Sequence, residues 1–161
     1  MELPSPSEYT ELPGPAVERC ATRILSQLRQ DAQLLNSSPL TAPLAEDLAH
    51  SSLPAVLSAV LVRKLCATHY PKGGPNAVYP DERSLHATFT AALSTPALLR
   101  AVVSDLAKIV AIDPAVDSLL QPFLFFKGFH ALAVHRVANA LWSTRGGSEK
   151  LQALMLQSRV S

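Results

Sequence analysis

The feature that most narrows the fold is a helical period in the apolar residues, never replaced by strand-like alternation. From Pro15 onward, Val17, Ala21, Ile24, Leu25, Leu28, Ala32 and Leu35 recur at steps of three and four, while Glu18, Arg19, Arg29 and Asp31 fall on other faces. Asn36-Ser37-Ser38-Pro39 stops this helix, because proline disfavours helical geometry in the residue before it. A short helix is expected around Leu40 to His50. Pro54 opens another, with Val56, Leu57, Val60, Leu61 and Leu65 as its stripe. No segment sustains an apolar–polar alternation, so the fold class is all-α, a bundle of seven to nine short helices without an internal repeat.

Turn signals divide the rest. Lys72-Gly73-Gly74-Pro75-Asn76 is the clearest loop, and residues 70–83 read as an insertion between helices. A helix from about Ser84 to Leu93 follows. Thr95-Pro96 then reads as an N-cap with proline at the first helical position, ahead of a helix over Ala97 to Val110. Asp113-Pro114 repeats that signature ahead of a helix expected from Ala115 to Leu120. Residues 1–15, MELPSPSEYTELPGP, carry three glutamates and no lysine or arginine, which fits neither a signal nor a transit peptide. They are read as a flexible lead-in, with the helical domain spanning 16–161.

Composition excludes several function classes. With 48% hydrophobic and 17% charged residues, the chain is too apolar for disorder, and 161 residues suffice for one domain with a real core. Its 14 basic and 13 acidic side chains are scattered, without the basic cluster that a nucleic-acid footprint needs. The longest uncharged window, Ser84 to Leu99, is too short and too polar to span a bilayer. Cys20 and Cys66 lack a CxxC spacing or a histidine at ligand spacing, and read as reduced thiols of a cytoplasmic protein.

The stretch FLFFKGFHALAVHR, residues 123–136, invites a catalytic or metal reading. Gly128 falls where a helix running from Pro122 could end, with Phe129 starting a fresh period. Phe129, Leu132, Ala133, Val137, Ala140 and Leu141 make one apolar face, and Ala131, Val134, Ala138 and Trp142 a second, so the helix reads as buried in a bundle or an interface. His130 and His135 are five apart, roughly 140° around a helix, where a chelating pair wants three or four. They are read as hydrogen-bonded packing residues and no metal site is assigned. Lys127 reads equally as a helix end or a ligand contact.

The string DPAVDSLLQPFLFFKGFHALAVHRVANALW, Asp113 to Trp142, resembles the N-terminal helical domain of serine acetyltransferases, in which DPA is followed by a break, then KGFHAL, HR and LW. The closing LQALMLQSRVS resembles that domain's last helix, and the stretch from His50 to Leu65 is similar to an earlier one. Two departures stand out: Ile112 replaces the arginine that often precedes DPA, and Thr144 to Ser148 form a somewhat extended linker.

The resemblance implies transfer of an acetyl group from acetyl-CoA to the hydroxyl of L-serine, giving O-acetyl-L-serine for cysteine synthesis. It implies that the acetyl-CoA site and the base histidine lie in a left-handed β-helix of hexapeptide repeats, which this sequence does not contain. This chain is therefore expected to bind no cofactor and to carry no catalytic residue. It also implies a homo-oligomer, a hexamer built as a dimer of trimers through the helical domains, and docking to cysteine synthase through a C-terminus beyond this chain. One residue transfers by match: Asp113, the aspartate of DPA, as a carboxylate of the serine site. An aspartate before Pro114 is equally an expected helix cap, and the two roles are compatible, one oxygen capping and the other facing a cleft. Asp117 reads as a helix-dipole partner or as solvated, and Arg136 as a packing residue of the motif. Two readings remain open: the amino-terminal part of a serine acetyltransferase, inactive by itself, or a stand-alone helical module that associates with a full-length acetyltransferase.

Overall fold

The computed structural model describes residues 12–33, 42–69, 81–143 and 147–157. Those residues form eight helices: α1 (Gly14–Gln33), α2 (Ala42–Leu48), α3 (Leu53–His69), α4 (Glu82–Leu93), α5 (Pro96–Ile112), α6 (Leu120–Phe125), α7 (Lys127–Ser143) and α8 (Gly147–Gln157). No strand occurs among the described residues, and none of their helices is long and apolar enough to cross a membrane.

The three-and-four spacing becomes the core. On α1, Val17, Ala21, Ile24, Leu25 and Leu28 are buried. On α3, Val56, Leu57, Val60, Leu61 and Leu65 all face inward. Phe89 and Phe123 are the largest side chains taken fully out of water. α3 pairs mainly with α4, α7 with α8 and α1 with α5, while short α6 touches α1, α5 and α7. Polar ties lock the crossings. The Arg100 guanidinium donates to the Leu12 carbonyl through Nε at 3.1 Å and Nη2 at 2.8 Å, fixing the start of α1 to α5. Arg29 donates to the Leu48 and His50 carbonyls at 3.1 and 2.9 Å, holding the corner between α2 and α3. Asp47, 7% exposed, pairs with Arg63. Burial raises its carboxyl above the usual range, and the attraction of Arg63 opposes that rise.

Several local expectations need correction. α4 begins at Glu82, not Ser84, because the Asp81 carboxylate accepts the Arg83 and Ser84 N–H groups at 3.2 and 3.1 Å. Residues 82–83 therefore belong to a helix, and residues 70–80 lie outside the described residues, as do 1–11 and the Asn36–Pro39 stop. Thr95 occupies the cap position of α5 with Pro96 after it, but its hydroxyl donates backward to the Ala92 carbonyl at 2.8 Å and caps nothing. No helix forms over Ala115 to Leu119; that stretch is a turn followed by an irregular connection, and the helix starts at Leu120. Gly128 ends nothing: the break is at Phe126, extended at φ −81° and ψ 102°, and Gly128 lies in the first turn of α7. Lys127 likewise begins a helix. Finally, α7 buries one broad face, Phe129, His130, Ala133, Val134, Val137 and Ala138, leaving Leu132 and Trp142 40% and 45% exposed.

Candidate functional site

Asp113 sits where α5 ends. Its N–H donates to the Ile109 carbonyl at 2.9 Å, completing the last helical turn, and its own backbone is extended (φ −90°, ψ 107°). The chain then folds over itself. The Ala115 N–H donates to Asp113 Oδ1 at 3.0 Å, and the Val116 N–H to the Asp113 carbonyl at 3.2 Å. The capping role expected of Asp113 is thus present in altered form: it closes a single turn between helices, an aspartate turn, in place of a helix start. Among the described residues, Oδ2 of the partly exposed carboxylate accepts no hydrogen bond.

The connection from Asp113 to Leu119 ends on α6. Here the Asp117 N–H donates to Gln121 Oε1 at 2.8 Å, while the Asp117 side chain is exposed. Ser118-Leu119-Leu120-Gln121 has the spacing of a capping box, in which a glutamine reaches back from the first turn; the amide here reaches one residue further. That spacing is visible in the sequence and is the local signal for a tie at this point. α6 is in turn pinned from behind by His130, 7% exposed, whose Nε2–H donates to the Phe123 carbonyl at 2.8 Å. Because a carbonyl can only accept, this bond assigns the proton to Nε2. Burial pushes His130 below the ordinary histidine range; the Phe123 hydrogen bond opposes that shift and the nearby Lys64 charge adds to it.

The other candidates separate in space. His135 is exposed whereas His130 is buried, so the two imidazoles share no ligand site. Arg136 reaches across to α5, donating through Nε and Nη2 to the two oxygens of Asp105, 3.0 Å each, a bidentate pair between elements 31 residues apart. Nothing in the local pattern identified Asp105 as its partner. Lys127 is exposed at the start of α7, and Ile112 and Phe125, 77% and 68% exposed, also lie at these helix ends. Among the described residues no three His, Cys, Asp or Glu side chains gather as metal ligands.

Two cavities lie elsewhere. One of about 170 Å³, lined by Leu65, Leu85, Leu141, Met155 and Leu156 with a polar edge at Asp81, lies against α3, α4, α7 and α8. A wider polar groove of about 690 Å³ is bounded by Glu46, Asp47, Arg63, Glu82 and two stacked histidines, His50 and His86, whose ring centres are 4.8 Å apart. Asp113 lines neither. Its carboxylate is on an open edge of the bundle, where it can accept from a ligand but cannot enclose one.

Residues 24–134 match the family model described as serine acetyltransferase, N-terminal. Among similar proteins, a probable serine acetyltransferase of Oryza sativa subsp. japonica is 38% identical over 138 residues, which cover 83% of this chain and 42% of the rice protein. The structure of Neisseria gonorrhoeae serine acetyltransferase in complex with serine superposes with a TM-score of 0.71 at 32% identity, covering 86% of this chain and 54% of the other. The soybean enzyme complexed with serine gives 0.66 at 34% identity, covering 89% and 54%. The chain spans about half the length of the relatives it matches.

Proposed function

Because this chain belongs to the serine acetyltransferase family through that family's N-terminal helical domain, we propose that it is the helical part of a serine O-acetyltransferase, supplying one carboxylate of the serine site and a surface for assembly. The observation that carries this is the placement of Asp113. Of the DPA–KGFHAL–HR string, it presents a carboxylate oxygen unused by the described residues at an exposed edge. The bundle engages the rest differently: His130 with Phe123, Arg136 with Asp105, and Phe129 in the core.

In the proposed reaction the serine hydroxyl oxygen attacks the thioester carbon of acetyl-CoA. Its proton passes to a histidine base, the C–S bond breaks, and CoA leaves as the thiol. Base and acetyl-CoA site belong to the half of the relatives that this chain does not match. Asp113 contributes by accepting from the substrate's ammonium or hydroxyl and so holding the nucleophile in one orientation, an entropic gain. Placing that carboxylate on an open edge suits a site completed by a second surface. Three neighbours bear on the substrates: the two serine complexes already described, and a serine acetyltransferase complex with CoA superposing at a TM-score of 0.70.

Assembly is the second proposed role. The apolar stripe of α3 is consumed in the protein's own core, so it leaves no interface. Besides Ile112 and Phe125 at the helix ends, the large apolar side chains exposed among the described residues are Leu132 and Trp142 on α7 with Leu154 and Met155 on α8, two helices that pack together. These four side chains are the proposed contact with other copies in a hexamer. Cytoplasmic residence and docking to a cysteine synthase belong to the same proposal.

The test is a thiol-release assay with acetyl-CoA and L-serine. The 161-residue chain alone is expected to show no turnover, and a chimera joining it to the second half of a serine acetyltransferase relative is expected to be active. In that chimera Asp113→Asn raises the serine KM about tenfold or more, the effect of losing one charge-assisted bond, while the acetyl-CoA KM holds. Turnover by the chain alone, or an unchanged serine KM, overturns the reading.

A further inference from the structure

The geometry points to Gln121 as a positioning residue for the Asp113 carboxylate: by holding the Asp117 N–H, its side chain fixes the connection that aims Asp113. This rests on the reading of Asp113 as a serine ligand.

The connection has little internal support. The Ala115 and Val116 N–H groups both bond back to Asp113, at 3.0 and 3.2 Å, so they close the turn on itself without tying it to the bundle. At its entry the turn is anchored to α5 through the Asp113 N–H on the Ile109 carbonyl. At its exit, the Asp117 N–H donates to Gln121 Oε1 at 2.8 Å, and a longer backbone bond of 3.3 Å runs from the Gln121 N–H to the Ser118 carbonyl, leaving the Asp117 amide itself held by the side chain. On either side of Gln121 the support is firm: Leu119, Leu120, Phe123 and Leu124 are buried, and His130 holds the Phe123 carbonyl. Position therefore passes from the core through α6 and Gln121 to the Asp117 amide, and from there to the Ala115 N–H that holds Oδ1. With the exit released, the Ala115 N–H shifts and the direction of Oδ2 shifts with it. Gln121 itself is only half-buried, so its loss removes a tie without opening the core.

Two substitutions separate the tie from bulk. Gln121→Met keeps the length and removes the acceptor; Gln121→Glu keeps an acceptor oxygen. In the 161-residue chain, Gln121→Met should speed exchange of the Asp117 amide hydrogen about fivefold or more, the weight of one ordinary hydrogen bond, and Gln121→Glu should restore it. In the active chimera, Gln121→Met should raise the serine KM by a similar factor with the acetyl-CoA KM unchanged, and the Glu variant should recover most of the loss. Unaltered exchange at Asp117 overturns the inference. So does an unaltered serine KM in Gln121→Met when Asp113→Asn raises it. Should Asp113→Asn leave the serine KM alone, it is the parent reading that fails.

Discussion

Acidification should weaken this fold through His130, by an amount that can be isolated. Its imidazole is 7% exposed, bonded to the Phe123 carbonyl, and held below the ordinary histidine value of 6.5 by burial. The unfolded chain therefore takes up a proton at a higher pH than the folded one. Stability from the neutral buried ring is fully present above about pH 6.5 and is lost as pH falls below it, until the folded-state value is reached. One proton of difference is worth about 1.4 kcal/mol per pH unit within that window. An unfolding entropy of about 2.1 cal/mol/K per residue converts this, for a chain of this size, to roughly 4 °C of Tm per unit.

Other groups contribute to any change with pH, so the assay is a difference. Melting curves of the chain and of His130→Gln, followed by circular dichroism from pH 7.5 to 5.0, share those other groups. The glutamine amide can still donate to Phe123 but does not titrate. Asp47 acts in the opposite sense, since its raised carboxyl favours the protonated fold, with stability present below pH 3.8 and lost as pH rises through the folded value; it too cancels. The Tm advantage of the histidine protein should be largest at pH 7.5 and shrink on acidification. A difference constant within about 1 °C across the range refutes the assignment of a neutral, proton-excluding His130.

Two further expectations concern stability. Arg136→Met strands an Asp105 carboxylate only 15% exposed. It should cost about 1–2 kcal/mol in urea unfolding, below the figure for a fully enclosed pair because the arginine side chain is 32% exposed. The double variant with Asp105→Asn should recover part of the loss, and two single variants each within about 0.3 kcal/mol of the parent would deny the pair any structural role. Gly128 has no neighbour within 4 Å of an added Cβ and no left-handed backbone, so Gly128→Ala should raise stability by about 0.4–1 kcal/mol; a lower Tm refutes the placement of Gly128 in the first turn of α7.

The elements legible in the sequence are those in which one periodic face decides everything. α1 follows its stripe nearly residue for residue, because burying a row at three-and-four spacing leaves little choice of phase; on α3 the stripe is buried as well, joined by Leu53, Ala55, Ser58 and Val62. α7 was legible as a buried helix but not in its facing. With apolar residues on two faces, its phase is chosen by the neighbouring helices: Ala133 and Val137 are buried, while Leu132 is left outside. The Arg136–Asp105 pair was illegible for a related reason. A salt bridge spanning 31 residues depends on the crossing of two helices, and no local spacing encodes it.

The misread stretch, 113–120, is also where the candidate site lies, and the reason can be traced to Pro122. A helix started by Asp113-Pro114 and running on through 122 would set the proline ring against the Ser118 carbonyl and lose a backbone bond. Stopped before it, the helix would be too short to offset its nucleation cost. Starting at Leu120 removes the conflict, since Pro122 then falls in the first turn, where no backbone N–H is needed, and Phe123 points into the core. The residues between are left as a connection in which two backbone N–H groups bond to side chains, that of Ala115 to Asp113 at one end and that of Asp117 to Gln121 at the other. A carboxylate oxygen stays available there because the helix that could have used it as a cap does not form. One proline placement thus decides both where α6 begins and what Asp113 is free to bind.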